Sequence, residues 1–131
     1  MKYFNTYMWL IGAMDVCTGL LLLFLPVPTL RLMGLTDIPL QPIFISWIGV
    51  FVFSIGCAYW LPFLERRSDV RRIQQIMSLK LTSLARFCVG VFVICAICMA
   101  SLTPAWLLVG LVDLCCATFQ LFLLQREVLS T

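Results

Sequence analysis

Four long apolar runs, separated by shorter polar or proline-bearing stretches, dominate the chain. They fall at about 5–25, "NTYMWLIGAMDVCTGLLLLFL", 42–63, "PIFISWIGVFVFSIGCAYWLPF", 78–101, "SLKLTSLARFCVGVFVICAICMAS", and 104–125, "PAWLLVGLVDLCCATFQLFLLQ". A helix needs roughly 20 mainly apolar residues to cross a hydrocarbon core of about 30 Å. Each run reaches that length. A backbone in lipid must satisfy its own N–H and C=O groups, so each run is predicted to be α-helical. The expected fold class is all-α: a polytopic membrane protein with a four-helix transmembrane bundle, in a single domain spanning 1–131.

The stretches between the runs differ in kind. Residues 26–41, "PVPTLRLMGLTDIPLQ", hold three prolines and one glycine. Pro26 and Pro28 stop the first helix, and "TLRLMGL" is mildly amphipathic, fit for a short interfacial helix ended by Gly34. Residues 64–77, "LERRSDVRRIQQIM", are charged and could extend the second or third helix into water. The turn "LTP" at 102–104 is so short that the helices on either side must be antiparallel neighbours.

Basic residues in short loops set membrane orientation. Arg66, Arg67, Arg71, Arg72 and Lys80 belong to the middle connection and its edges, with Lys2 and Arg126 at the termini, whereas the opposite side has Arg31. That asymmetry predicts both termini and the middle connection in the cytoplasm. Aromatic residues agree with membrane borders: Tyr3, Tyr7, Tyr59 and Trp60 toward the inner side, Trp47 and Trp106 toward the outer. The first run is expected to be retained rather than cleaved. Its n-region has one lysine, the apolar stretch is too long for a signal peptide, and no Ala-x-Ala site follows.

Three charged residues lie deep within the runs, away from their ends: Asp15, Arg86 and Asp113. Counted from the helix ends, both aspartates fall near mid-bilayer, and Arg86 lies roughly 10–12 Å deep. A charge facing lipid there costs about 2.5–3.5 kcal/mol on insertion scales. Three such costs are avoided if all three turn inward. Their neighbours agree. Gly12, Asp15 and Gly19 share a helical face, as do Thr82, Arg86 and Gly90 with Ser83 beside them, and Gly110, Asp113, Ala117 and Gln120. Ser46, Gly49, Phe53 and Gly56 form a corresponding side of the second helix. Small residues let helix backbones approach closely. The expectation is a polar cluster of Asp15, Arg86, Asp113 and Gln120, with Arg86 bridging the two aspartates and Gly12, Gly19, Gly49, Gly56, Gly90 and Gly110 as packing positions. Such a cluster can lock helix register, hold a small ligand or proton, or dock a partner subunit. The wording Gly-x-x-Asp-x-Cys occurs at both Gly12–Cys17 and Gly110–Cys115, in helices running oppositely. It is either the trace of an inverted repeat or chance.

Composition sharpens this picture. The chain is 63% hydrophobic and 11% charged, against about 45–50% and about 25% in soluble domains. Its surface is therefore expected to face lipid. The absence of histidine excludes histidine-ligated haem on the protein's side. The net charge of +3 forms no basic face, so no nucleic-acid partner is expected. The seven cysteines lie in apolar runs and read mainly as small packing residues. Cys95 and Cys98 form a CxxC, the candidate redox pair. It sits at a helix C-terminal end, where little lowers a thiol pKa. Cys115 and Cys116 have no further ligands to make a metal site, and no metal is expected. No phosphate-binding loop, dinucleotide fingerprint or nucleophile–base pair is present, so an enzyme is the less favoured reading.

The first helix ends "LLLLFLP", followed by "LRLMGL" and a second helix with "WIGVFVFSIG". "LARFCVG" lies in helix three and "LVDLCCA" in helix four. This layout, over nearly the whole chain, resembles small bacterial DoxX-like four-helix membrane proteins. Relatives often have "RG" in helix two, where this chain has "WIG" at 47–49. The resemblance implies a four-helix fold in a bacterial inner (cytoplasmic) membrane, with Arg86 and Asp113 as its polar positions, and links to membrane components of sulfur or quinone redox systems. The functional expectation is a small integral membrane protein acting as a homo-oligomer or as a subunit of a larger membrane complex. Membrane lipid is its expected surrounding partner. Two alternatives stay open: a carrier of protons, cations or a small amphiphile using the buried carboxylates, and a quinone- or thiol-linked redox component. No cofactor is required, although a quinone or lipid is compatible with the cluster.

Overall fold

The computed structural model describes residues 2–35 and 41–129. Five α-helices carry them: α1 (Lys2–Phe24), α2 (Pro26–Leu32), α3 (Ile43–Trp60), α4 (Ser68–Cys98) and α5 (Leu107–Leu129). Two 3₁₀ turns, Leu61–Leu64 and Pro104–Trp106, continue α3 and lead into α5. No strand occurs among the described residues. Four segments are long and apolar enough to cross a membrane: Phe4–Phe24, Ile43–Leu64, Ser68–Cys98 and Pro104–Arg126. Pro39 of the first connection, and the side chains of Lys2 and Tyr3, lie outside the described residues.

Local chemistry explains the boundaries. Pro26 ends α1 by denying it a further N–H, and the same proline occupies the first turn of α2, where a missing donor is harmless. Gly34, at φ +79°, closes α2. Its N–H reaches the Arg31 carbonyl and the next N–H, of Leu35, reaches Leu30, the paired bonds of a Schellman cap. Helix α4 starts at Ser68 rather than at 78, so the charged middle stretch is largely helical. No proline or glycine interrupts residues 68–89, and Asp69 in the first turn complements the helix dipole. At 31 residues, α4 is about 46 Å long and exceeds the hydrocarbon thickness. It stops at Cys98 rather than 101 because Ala100 takes φ +55°. A second Schellman pair forms there, Ser101 N–H to Ala96 and Ala100 N–H to Ile97. Pro104 then opens a 3₁₀ turn, delaying α5 to Leu107.

The chain divides into two compact units, residues 1–71 and 72–131. In the first, α1 and α3 run antiparallel in close contact. A Cβ on Gly12 would lie 3.1 Å from the Gly56 carbonyl oxygen, and one on Gly19 would lie 2.8 Å from that of Gly49. In the second, α4 and α5 do the same. A Cβ on Gly90 would lie 3.0 Å from the Gly110 carbonyl oxygen, and Ser83 Oγ donates to the Ala117 carbonyl across 3.2 Å. Each helix of a pair thus contributes two small residues seven apart: Gly12/Gly19 and Gly49/Gly56, then Ser83/Gly90 and Gly110/Ala117. A seven-residue period keeps one seam facing its partner as both helices wind. In lipid, where apolar burial drives little, close backbone approach supplies the van der Waals contact.

Buried residues follow the same period. On α1 they include Phe4, Met8, Ile11, Asp15, Gly19 and Leu22; on α3, Ile45, Gly49, Gly56 and Tyr59. Ser46 and Phe53 of α3 are half-buried. Large apolar side chains elsewhere are exposed, among them Leu10, Phe24, Trp47, Phe92 and Leu108. Stray hydroxyls on the outer faces are satisfied within their own helices. Ser54 Oγ donates to the Val50 carbonyl and Thr118 Oγ1 to that of Leu114, each at 2.8 Å. Such bonds let a hydroxyl face hydrocarbon without an unmet donor.

Candidate functional site

Helix α4 buries a polar stripe: Gln75, Thr82, Ser83 and Arg86. The periodicity that makes Leu79, Gly90, Val93 and Ala96 face inward places these residues inward too. Thr82 Oγ1 has the Ser78 carbonyl at 2.9 Å and the Leu79 carbonyl at 3.2 Å as acceptors. Gln120 Oε1 of α5, on a fully buried side chain, lies 3.5 Å from that hydroxyl. One turn further along α4, Arg86 Nη1 donates to Asp113 Oδ1 across 2.6 Å, with side chains 6% and 17% exposed.

The ion pair lies between two tight seams. The Ser83–Ala117 hydrogen bond closes one side. On the other, Gly90 admits the Leu114 side chain and the Gly110 backbone, and Gly110 lies beside Val93. Bringing a guanidinium and a carboxylate together cancels their charge and gives each a short charge-assisted bond. The arrangement can fix the axial register of α4 on α5. It can also take part in proton or cation chemistry if the pair opens.

Of the sequence candidates, Arg86, Asp113, Gln120, Gly90 and Gly110 meet along this seam of the second unit. Asp15 belongs to the first unit. It is 4% exposed and sits in the buried stripe of α1 between Gly12 and Gly19. Gly12, Gly19, Gly49 and Gly56 meet along the α1–α3 seam. Cys95 and Cys98 are free thiols, both exposed, off the buried face of α4. Among the described residues no group of three metal-ligating side chains converges. An open groove of about 500 Å³ runs along α5, lined by Leu111, Leu114, Cys115, Thr118, Phe119 and Phe122. Its lining is almost wholly apolar and includes neither Arg86 nor Asp113.

Two features escaped the sequence reading. Gln75 extends the polar stripe toward the charged start of α4; its four-residue step to Leu79 and seven-residue step to Thr82 were a usable signal. The seven-residue spacing of small residues on all four long helices was another. The spacing also bears on the repeated Gly-x-x-Asp wording. Counted from each pair's own connecting loop, Gly12 belongs to the loop-distal seam of its pair and Gly110 to the loop-proximal seam. The position matching Asp15 in the second pair is then Arg86.

These features define the class: over the described residues, an all-helical fold with four helices suited to cross a membrane and a part-buried arginine–aspartate pair between two of them. Comparisons with protein-family models, with curated proteins and with solved structures return no match.

Proposed function

We propose that the chain is a non-enzymatic, multi-pass inner-membrane protein that works as a homo-oligomer or as a subunit of a larger membrane complex. Its Arg86–Asp113 pair fixes how α4 and α5 present themselves to that assembly. The observation that carries this reading is the 2.6 Å bridge between two small-residue seams. A directly bonded pair held on both sides by close backbone contact suits a register lock. One buried polar element that sets register is the best-attested use of such groups. With Arg66, Arg67, Arg71 and Arg72 around the α3–α4 junction, the reading puts that junction and both termini in the cytoplasm. The DoxX-like layout of the sequence fits this architecture. Native mass spectrometry in mild detergent tests the proposal. A defined oligomer or a co-purifying membrane partner is expected, and a strict monomer without a partner overturns it.

A second reading draws on the polar stripe. Gln75, Thr82, Ser83 and Gln120 approach the ion pair from the charged end of α4, while Gly90, Val93 and Ala96 beyond it are apolar or small. This one-sided pattern suits a carrier of protons or cations with access to the pair from one face. Flux in proteoliposomes that persists unchanged in both Asp15→Asn and Asp113→Asn removes that reading.

A further inference from the structure

The end of the α1–α3 pair where α3 finishes carries an aromatic shelf. The Trp9 and Trp60 rings lie 5.3 Å apart between centroids and Trp9 and Phe63 5.4 Å apart. Trp60 Nε1 donates to the Trp9 carbonyl at 3.4 Å. Gly12 makes room for this, because a Cβ there would come 2.7 Å from Trp60 Nε1. The shelf is fixed yet open: Trp9 is 51% exposed, and Leu61 and Leu64 of the following turn are 60% and 79% exposed.

The chain then changes character. Glu65 is extended, and its carboxylate and carbonyl are taken by local partners. Its Oε1 accepts from the Arg67 backbone N–H at 3.0 Å, and its carbonyl accepts from Arg71 Nε at 2.8 Å. Arg66 and Arg67 are exposed, and no carboxylate among the described residues is bonded to either guanidinium. Irregular backbone facing lipid is not tolerated in the hydrocarbon layer, so this junction belongs at headgroup level. Tryptophan rings favour the same depth. Two unneutralised guanidiniums thus stand a few residues from an exposed aromatic and leucine surface.

We propose that this junction is a binding site for an anionic phospholipid. Its phosphodiester is held by Arg66 and Arg67, and its acyl chains lie over Trp9, Leu61 and Leu64. Arginine pairs bidentately with phosphate oxygens. A zwitterionic lipid presents the same phosphate with its own ammonium beside it and gains less. The inference rests on the multi-pass reading above and adds a ligand class and a place.

The test uses the full-length protein carrying Trp47→Phe and Trp106→Phe, which leaves Trp9 and Trp60 as fluorophores. It is reconstituted into phosphatidylcholine vesicles containing a minor fraction of brominated phosphatidylglycerol or, separately, brominated phosphatidylcholine. Local enrichment of the anionic lipid by roughly fivefold per arginine is expected from surface attraction, read as stronger quenching by the brominated phosphatidylglycerol. Arg66→Gln with Arg67→Gln brings the two lipids to equal quenching, and the matching lysine pair keeps much of the difference. Equal quenching in the arginine-containing protein overturns the site while leaving the membrane reading intact. Absence of quenching by either lipid overturns both.

Discussion

Arg86 donates to Asp113 across 2.6 Å, three residues beyond Ser83 on one helix and three beyond Gly110 on the other. The pair therefore lies inside the heptad frame of small residues rather than beside it. Closeness of the two backbones and neutralisation of the two charges are one arrangement.

Removing one partner deprives the other's charge of this bond within the helix seam. Arg86→Met alone or Asp113→Leu alone is expected to lower stability by roughly 3–5 kcal/mol. Arg86→Met combined with Asp113→Leu should recover most of that loss. Unfolding in mixed detergent micelles gives the four corners of the cycle. Additive losses in the double variant would show that the pair is not coupled.

The glycines should differ in tolerance. A Cβ on Gly19 meets the Phe53 backbone, with its Cα at 2.7 Å, and neither helix backbone can yield alone. A Cβ on Gly110 meets the Val93 side chain, Cγ1 at 3.1 Å and Cβ at 3.3 Å, a looser approach that needs only a small displacement. Gly19→Ala should cost about 1–3 kcal/mol through overpacking. Gly110→Ala should come out near neutral, since alanine gains up to about 1 kcal/mol in helix propensity. Thermal unfolding of the two variants side by side decides this.

Ala100 is the one described non-glycine residue with positive φ. It closes α4 with the hydrogen bonds that Gly34 makes after α2. Ala100→Gly relieves the left-handed strain and is expected to stabilise by about 1 kcal/mol. A fall in the unfolding midpoint would contradict the assignment.

Cys95 and Cys98 are exposed and free. Replacing both with alanine should leave stability within about 0.5 kcal/mol. Full function of the protein in that variant would remove thiol chemistry from its role. Loss of function would bring the redox reading forward.

The apolar runs, the prolines at 26, 28 and 104, and Gly34 were enough to foresee four spanning helices, a short helix after the first and a tight turn before the last. Length, apolar content and proline stereochemistry act locally, so a linear sequence displays them. The inward placement of Arg86 and Asp113 was legible for a related reason: a charge facing lipid at mid-bilayer depth is costly, and that depth can be counted from the helix ends. Which small residue meets which was not legible. Gly12 against Gly56, and Ser83 against Ala117, depend on the register of two helices, and several registers bury similar apolar surface. Register is chosen where close backbone approach, the Ser83–Ala117 bond and the Arg86–Asp113 bridge are satisfied together, and only the folded helix pair satisfies all three.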